Sequence, residues 1–448
     1  MSADARFPVA LLWHMHQPDY RLDGRFFRPW ACLHALRGYN DMAAHLEAVE
    51  GAHATVNFSA VLVDQIDDYA ARLTRWREQR TPIDDPLLDA LAAPPPAGPQ
   101  RDEAIAACDR LHREVADRRF PVLAELRDRA QAGTLDDAAF TDLLVWYHLA
   151  WLGETVREVD PRSRALTEKQ RAFDADDRHA LLSVIADVIT GLLPRYRRLA
   201  DAGRVELSMT PMQHPLMPLL IDFDSALDAA PGTPLPEGAY PDGEARVRWH
   251  IEQGLQRFER SFGQRPRGCW PSEGALSQRT LELLGEAGFV WTASGGGVLA
   301  GTLAAAGREP APPHVLWQSG VHTPRVLFRD DGLSDLIGFV YRGWNQDDAV
   351  NDLITHCERI ADADGTRLLL LALDGENPWE YYPDGGQHFV RTLYARLAEH
   401  PRLRPATLGE CADALPPVEL PPLSAGSWVH GQLLTWIGHP EKTAPGNC

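Results

Sequence analysis

The chain has 448 residues, 44% of them hydrophobic and 24% charged, the balance of a folded globular protein rather than a disordered one. Its 44 basic and 63 acidic residues leave a formal charge of −19, so nucleic acid and anionic membrane surfaces are repelled while a neutral polymer is not. No run approaches the roughly 20 apolar residues of a membrane span, and the opening MSADARFPVA lacks the basic-then-apolar pattern of a secretion signal, so a cytoplasmic location is expected.

From the N-terminus, an apolar run from Phe7 to Trp13 breaks into His14-Met15-His16-Gln17-Pro18, the pattern of a buried strand carrying polar groups at its C-terminal end. Ala54 to Val63 reads as β-rich. The stretch from about 64 to 200 is rich in Ala, Leu, Arg, Asp and Glu, broken by Ala93-Pro94-Pro95-Pro96, and reads as a helical insertion with a helix over 177–199. Val205 to Met209 then leads into Thr210-Pro211-Met212-Gln213-His214-Pro215, followed by a long loop at 222–243 and a helix over 244–262. Gly268-Cys269-Trp270 leads into Pro271-Ser272-Glu273-Gly274, with a helix over 277–288. A helix over 347–363 precedes Leu368 to Leu373, which runs into Asp374-Gly375-Glu376-Asn377-Pro378-Trp379. Residues 412–448 hold several prolines, and Thr443 to Cys448 read as a frayed end. Strand, polar tip and helix in repetition predict an α/β fold of parallel strands with crossover helices, a barrel or an open sheet. Either architecture gathers the polar tips at the C-terminal ends of the strands, where ligands bind.

Cleaving a glycosidic bond needs two carboxyl groups, one to protonate the leaving oxygen and one to attack the sugar or activate water. Glu273, beside Trp270, and Asp374, after the most apolar run of the chain, suit this task, because apolar surroundings keep a carboxyl protonated near neutrality. Taken singly, Asp374-Gly375 is a turn and Glu273 a charge at a helix N-terminus; their joint position at the ends of apolar runs favours chemistry. His14 and His16 share a strand face at spacing two, and His214 stands at another strand end. These imidazoles, with Gln17, either bind sugar hydroxyls or share a metal. The first reading is preferred, since no H-x-x-x-H or H-E-x-x-H pattern is present. Of thirteen tryptophans, Trp30, Trp270, Trp344, Trp379, Trp428 and Trp436 stand near polar or loop residues and are stacking candidates, whereas Trp13, Trp146, Trp151 and Trp291 read as core. Gly295-Gly296-Gly297 is no phosphate loop, since no Lys-Ser/Thr follows. The six cysteines form no C-x-x-C pair, so reduced thiols are expected rather than disulfides or a zinc site.

Five segments occur in the order found in glycoside hydrolase family 57, which the chain resembles over roughly residues 8–440. They are His14 to Pro18, Glu206 to Leu219, Trp270 to Ser277, Leu373 to Glu380, and Gly426-Ser427-Trp428; Phe328-Arg329-Asp330 and Leu333 to Phe339 extend the likeness. The resemblance implies an incomplete (β/α)7 barrel over residues 1–400 with the helical insertion, and a helical C-terminal region over 401–448 completing the cleft. It implies action on α-1,4- and α-1,6-linked glucans by a retaining mechanism with no cofactor and no metal. Glu273 would be the nucleophile and Asp374 the acid/base. His14, His16 and His214 would line the sugar subsite, with Gln17, Trp30, Trp270, Glu376, Trp379 and Trp428 as further substrate contacts. An α-amylase-like hydrolase is the expected activity, and a 4-α-glucanotransferase or branching enzyme the alternative. Readings of another class are a metal-dependent mannosidase or deacetylase using His14 and His16, and a non-catalytic glucan-binding relative. Two departures stand out. Gly295-Gly296 replace an acidic pair common in similar sequences, and the chain ends at Cys448 where its nearest subgroup continues, which suggests a shortened cap.

Overall fold

The structure is a computed structural model and describes residues 6–109 and 118–439. Its strands are β1 (Phe7–Met15), β2 (Arg21–Leu22), β3 (Arg25–Phe26), β4 (Ala54–Ser59), β5 (Val205–Thr210) and β6 (Gly268–Cys269). These are followed by β7 (Trp291–Gly295), β8 (Trp317–Gln318), β9 (Arg325–Arg329), β10 (Leu369–Asp374), β11 (Leu403–Ala406) and β12 (Val418–Glu419). Seven of them run parallel in the order β10-β1-β4-β5-β6-β7-β9. The ring does not close by strand pairing. Between its two ends, the Asp330 N–H donates to the Leu370 carbonyl at 2.9 Å and the Ala372 N–H to Ser334 Oγ at 3.3 Å. This is the incomplete seven-stranded barrel that the sequence suggested.

Period-two alternation sorts each strand between two cores. From β1, Val9, Leu11, Trp13 and Met15 point outward to the helices, while Ala10 and Leu12 join the barrel interior with Leu370 and Ala372 of β10 and Leu327 of β9. The residues next in register on the inward face are His14 and Asp374, which lie side by side on neighbouring strands. The other wall of the interior is polar. Thr55, Asn57 and Ser59 of β4 stand beside Glu206, Ser208 and Thr210 of β5. Asn57 Nδ2 donates to Ser208 Oγ at 3.1 Å, and Thr210 Oγ donates to Asn57 Oδ1 at 2.9 Å. At the floor, the buried Glu206 carboxyl accepts from Trp291 Nε1 (2.7 Å), the Gly409 N–H (2.6 Å) and Thr55 Oγ (3.3 Å). Burial pushes its pKa up against these three donors. The helix Leu408–Ala414 thereby plugs the barrel, with Leu408, Cys411 and Ala412 in the inner core.

The helices expected from the sequence form at Ala175–Asp201, Gly243–Phe262, Gln278–Glu286 and Gln346–Ala361. The β-rich reading of 54–63 is corrected. The strand stops at Ser59, and Ala60–Gln79 is a helix burying Leu62, Ile66, Tyr69, Leu73 and Trp76 at helical spacing. Those side chains contribute about 1.5–3 kcal/mol each, against propensity costs below about 0.7 kcal/mol for Val61 and Val63. Eight described helices, from Ala60–Gln79 to Ala175–Asp201, separate β4 from β5. The loop read at 222–243 contains a short helix, Ser225–Ala229. Beyond residue 401 the helical contribution among described residues is Leu408–Ala414, after which the chain runs as strand and turns to His439. The end read as frayed lies outside the described residues. No described helix is long and apolar enough to cross a membrane, and the five described cysteines are free and buried.

Candidate active site

The strand ends deliver their polar groups to one side of the barrel. His14 Nδ1 bonds Asn57 Oδ1 at 2.7 Å, and His16 Nδ1, just past the end of β1, bonds Ser59 Oγ at 2.8 Å, so β4 orients both rings. His214, brought in by a left-handed pair of residues (φ +62° at Gln213 and +53° at His214), stacks on His16 with centroids 3.6 Å apart and planes 9° apart. Its ring also lies 5.6 Å from that of His14. Burial holds His14 down to about 4 and His16 to about 3; His214 lies well below the ordinary value for the same reason, with its two neighbours adding to the effect. All three are therefore neutral near pH 7, suited to hydrogen-bonding hydroxyls. Face-to-face rings aim their in-plane lone pairs along parallel planes rather than at one point, which argues against a shared ion. Among the described residues no group of three or more His, Cys, Asp or Glu is arranged to hold a metal.

Glu273 follows β6 in a tight turn, Ser272–Gly274, with φ +55° and ψ 26°. A side-chain-bearing residue in this left-handed region costs of order 1–3 kcal/mol and persists only where its surroundings hold it. They do so here. Gly274 N–H bonds the Pro271 carbonyl and Ala275 N–H the Ser272 carbonyl, each at 2.9 Å, while Ser294 Oγ donates to the Gly274 carbonyl at 2.6 Å. The segment Gly426–Trp428 adds a second clamp. Leu276 and Gly426 exchange backbone hydrogen bonds, the Trp428 N–H donates to the Glu273 carbonyl at 3.1 Å, and Trp428 Nε1 donates to Glu273 Oε2 at 3.1 Å. Burial raises the Glu273 pKa; the indole N–H and His14 pull it back, and the Asp374 charge pushes it up.

Asp374 ends β10 beside His14, and the Gly375 N–H donates to the His14 carbonyl at 2.7 Å. Its Oδ2 accepts from Asn377 Nδ2 at 2.9 Å. Burial raises its pKa, opposed by that bond and by the Arg329 guanidinium. Arg329 is held by Asp335 (2.7 Å) and Asp331 (3.2 Å) and lies 5.3 Å from the Trp428 ring centre. Glu273, Asp374, Arg329 and Trp428 line one cleft of about 520 Å³, with Phe339 and Tyr381 on its wall.

The structure therefore brings together His14, His16, His214, Glu273, Asp374 and Trp428. The five other expected substrate contacts do not line this cleft. Trp270 is fully buried behind Trp428 (5.1 Å, edge-on) and His14 (6.2 Å). Trp379 is 3% exposed, packed on Trp13, Tyr382 and Phe389. Trp30 does not line this cleft and packs against Trp151 and His34. Glu376 is buried, accepting from Gln17 Nε2 at 3.1 Å, and burial with the Asp374 charge holds its pKa well above the carboxylate range. Gln17, itself buried, also accepts from the Tyr20 hydroxyl at 3.1 Å, so both are supports beneath the site. Residues missed from the sequence include Asn57, Arg329, Asn377, Phe339 and Tyr381. Of these, Asn57 had a signal in the alternation Thr55, Asn57, Ser59 at a strand end, and Arg329, Phe339 and Asn377 lie in segments that carry the family resemblance.

The glycine pair at 295–296 has a steric reason. A Cβ on Gly295 would stand 2.7 Å from Trp428 Cα, and one on Gly296 would stand 3.0 Å from the Arg329 carbonyl oxygen. The Asp331 carboxylate lies alongside, accepting from the Gly297 N–H at 2.9 Å. The space beside Gly295 is filled by the Trp428 backbone.

The family model for glycosyl hydrolase family 57 matches residues 10–424. Among solved structures, a family-57 branching enzyme from Thermococcus kodakaraensis aligns with 98% of this chain and 76% of its own, at TM-score 0.59 and 13% identity. The α-amylase AmyC from Thermotoga maritima aligns with 94% of this chain and 77% of its own (TM-score 0.57, 13% identity). A branching enzyme from Pyrococcus horikoshii covers 98% and 76% (TM-score 0.56, 16% identity). No curated protein matches the sequence. At these identities the structures speak for the fold, while the family match spans most of the chain: the protein belongs to glycosyl hydrolase family 57.

Proposed function

We propose that the protein is a retaining glycoside hydrolase acting on α-1,4-linked glucans, with Glu273 as nucleophile and Asp374 as acid/base. The observation that carries this reading is the convergence of these two carboxyl groups, from sequence positions a hundred apart, on one cleft beside three neutral histidines. The choice of α-glucan rests on the similar structures being those of branching enzymes and an α-amylase.

In the first step a Glu273 oxygen attacks the anomeric carbon, the glycosidic C–O bond breaks, and Asp374 gives its proton to the departing oxygen. Burial raises the pKa of both carboxyl groups, which suits Asp374 as the group that must begin protonated; at Glu273 the Trp428 indole N–H and His14 oppose the rise, which suits the group that must begin ionised. In the second step Asp374 takes a proton from water, whose oxygen attacks the same carbon and releases Glu273. A sugar hydroxyl in place of water gives transfer, so glucanotransferase and branching activities share this chemistry. His14, His16 and His214, oriented by Asn57 and Ser59, hydrogen-bond hydroxyls of the bound ring.

Incubation with maltoheptaose tests the reading. Shorter oligosaccharides alone, with the α-anomer formed first by NMR, are the expected result. Products longer than seven units assign transfer instead, and a first-formed β-anomer removes the retaining scheme.

A further inference from the structure

Two aromatic side chains on the cleft wall are open to solvent although they sit beside the acid/base candidate. Phe339 is 68% exposed and Tyr381 38% exposed, and both line the cleft shared by Glu273 and Asp374. Neither exposure is accidental. Phe339 belongs to a π-turn, Leu336–Val340, that follows β9, and the Tyr382 hydroxyl donates to the Ile337 carbonyl at 2.8 Å within it. Such wide turns cost regular hydrogen bonding and concentrate at functional sites. Tyr381 comes from the turn Pro378–Tyr381 after β10, and the Arg342 guanidinium lies 4.5 Å from its ring centre. Arg342 also lines the cleft, which gives this wall a fork of hydrogen-bond donors beside two apolar ring surfaces. The same tyrosine pair thus holds the π-turn with one member and builds the wall with the other.

The position of this wall decides what it binds. His14, His16 and His214, which hold the donor ring in the function proposed above, are absent from the lining of this cleft, whereas both carboxyl groups, Asn377 and Pro378 belong to it. The leaving oxygen is on the Asp374 side of the scissile bond, because Asp374 protonates it. A chain extending from that oxygen runs along Phe339, Tyr381 and Arg342. Sugar rings present apolar C–H faces and equatorial hydroxyls, which match exposed rings and a guanidinium fork respectively.

Resting on the function proposed above, we propose that Phe339, Tyr381 and Arg342 form the acceptor-side binding platform for α-glucan. It holds the departing chain in the first step and the incoming sugar whenever transfer competes with water. The substrate class is therefore one with at least one glucose unit beyond the cleavage point, and small leaving groups do not use the platform.

The test compares two donors on the full-length protein. Maltoheptaose fills the acceptor side, while α-maltosyl fluoride leaves only fluoride there. For Phe339→Ala, kcat/KM on maltoheptaose is expected to fall at least about tenfold relative to that on the fluoride, the lower end of what covering one phenyl side chain supplies. Phe339→Trp is expected to restore the ratio. In the Glu273→Gln background, maltoheptaose binding by calorimetry is expected to weaken by a similar factor on adding Phe339→Ala. Equal losses on both donors, or no change on maltoheptaose, overturn the platform while leaving the glycosidase reading intact. A wild-type protein that neither consumes the fluoride nor binds maltoheptaose overturns the α-glucan reading, and the platform with it.

Discussion

Asp374 ends a six-residue strand laddered to β1 at six paired positions, whereas Glu273 follows a two-residue strand and sits in a turn with φ +55°. On the first side, regular backbone pairing alone places the carboxyl beside His14. On the second, the backbone is strained, and placement comes from the remote segment Gly426–Trp428 and the close seat it finds at Gly295–Gly297. One half of the site is thus built by secondary structure and the other by tertiary contact. The second half should be the more sensitive to changes far from the chemistry.

The largest effect falls on both sides alike. Asp374→Asn should lower kcat on maltoheptaose by about 10²–10⁴-fold, and Glu273→Gln by at least as much; a double variant retaining wild-type turnover would end the assignment. Next comes Gly295→Ala, which touches the Glu273 side alone. Its Cβ meets backbone rather than a flexible side chain, so an overpacking loss of about 1–3 kcal/mol in denaturant unfolding is expected, together with reduced turnover. If the fold is weakened but kcat is unchanged, the seat does not position Glu273.

Trp428→Phe is subtler. It removes the indole donor from Glu273 Oε2, and that donor favours the ionised form, so the Glu273 pKa should rise. A nucleophile must be ionised, so the acid limb of kcat/KM should move to higher pH by about one unit. A shift to lower pH would contradict the assignment. The smallest effect is expected at Glu376, on the Asp374 side. Burial and the Asp374 charge push its pKa up, toward the neutral form that an amide imitates, and Glu376→Gln keeps the oxygen that accepts from Gln17. Unfolding stability should change by less than the about 1 kcal/mol of one hydrogen bond, whereas Glu376→Ala should cost about 1–3 kcal/mol by stranding Gln17.

The same contrast explains what the sequence disclosed. Long apolar runs ending in polar residues exposed β1, β5 and β10 and, with them, His14, His16, His214 and Asp374. Strand alternation carries its own address. By contrast β7 and β9 have no such flanking signature in composition, and β6 was visible only as three residues before a turn. The positive φ at Glu273, the approach of Trp428 to Gly295 and the π-turn presenting Phe339 are facts of three-dimensional packing with no local period. Two tryptophans lie deeper than the sequence indicated, for a related reason. Proximity to polar residues along the chain placed Trp270 and Trp379 at the surface of the site, while their neighbours in space, Trp428 and Phe389, close them off. The Ala54–Val63 run was misread because residue preference is local and the burial of Leu62 through Trp76 is not.

The Glu206 carboxyl and the Trp428 indole tie late parts of the polypeptide to the bottom and the mouth of the barrel. During synthesis, then, a nascent chain that has already made all of its strands up to β10 still lacks both its floor and the segment that holds the Glu273 turn. A fragment ending before residue 426 would be expected to leave Glu273 unheld and to lose turnover.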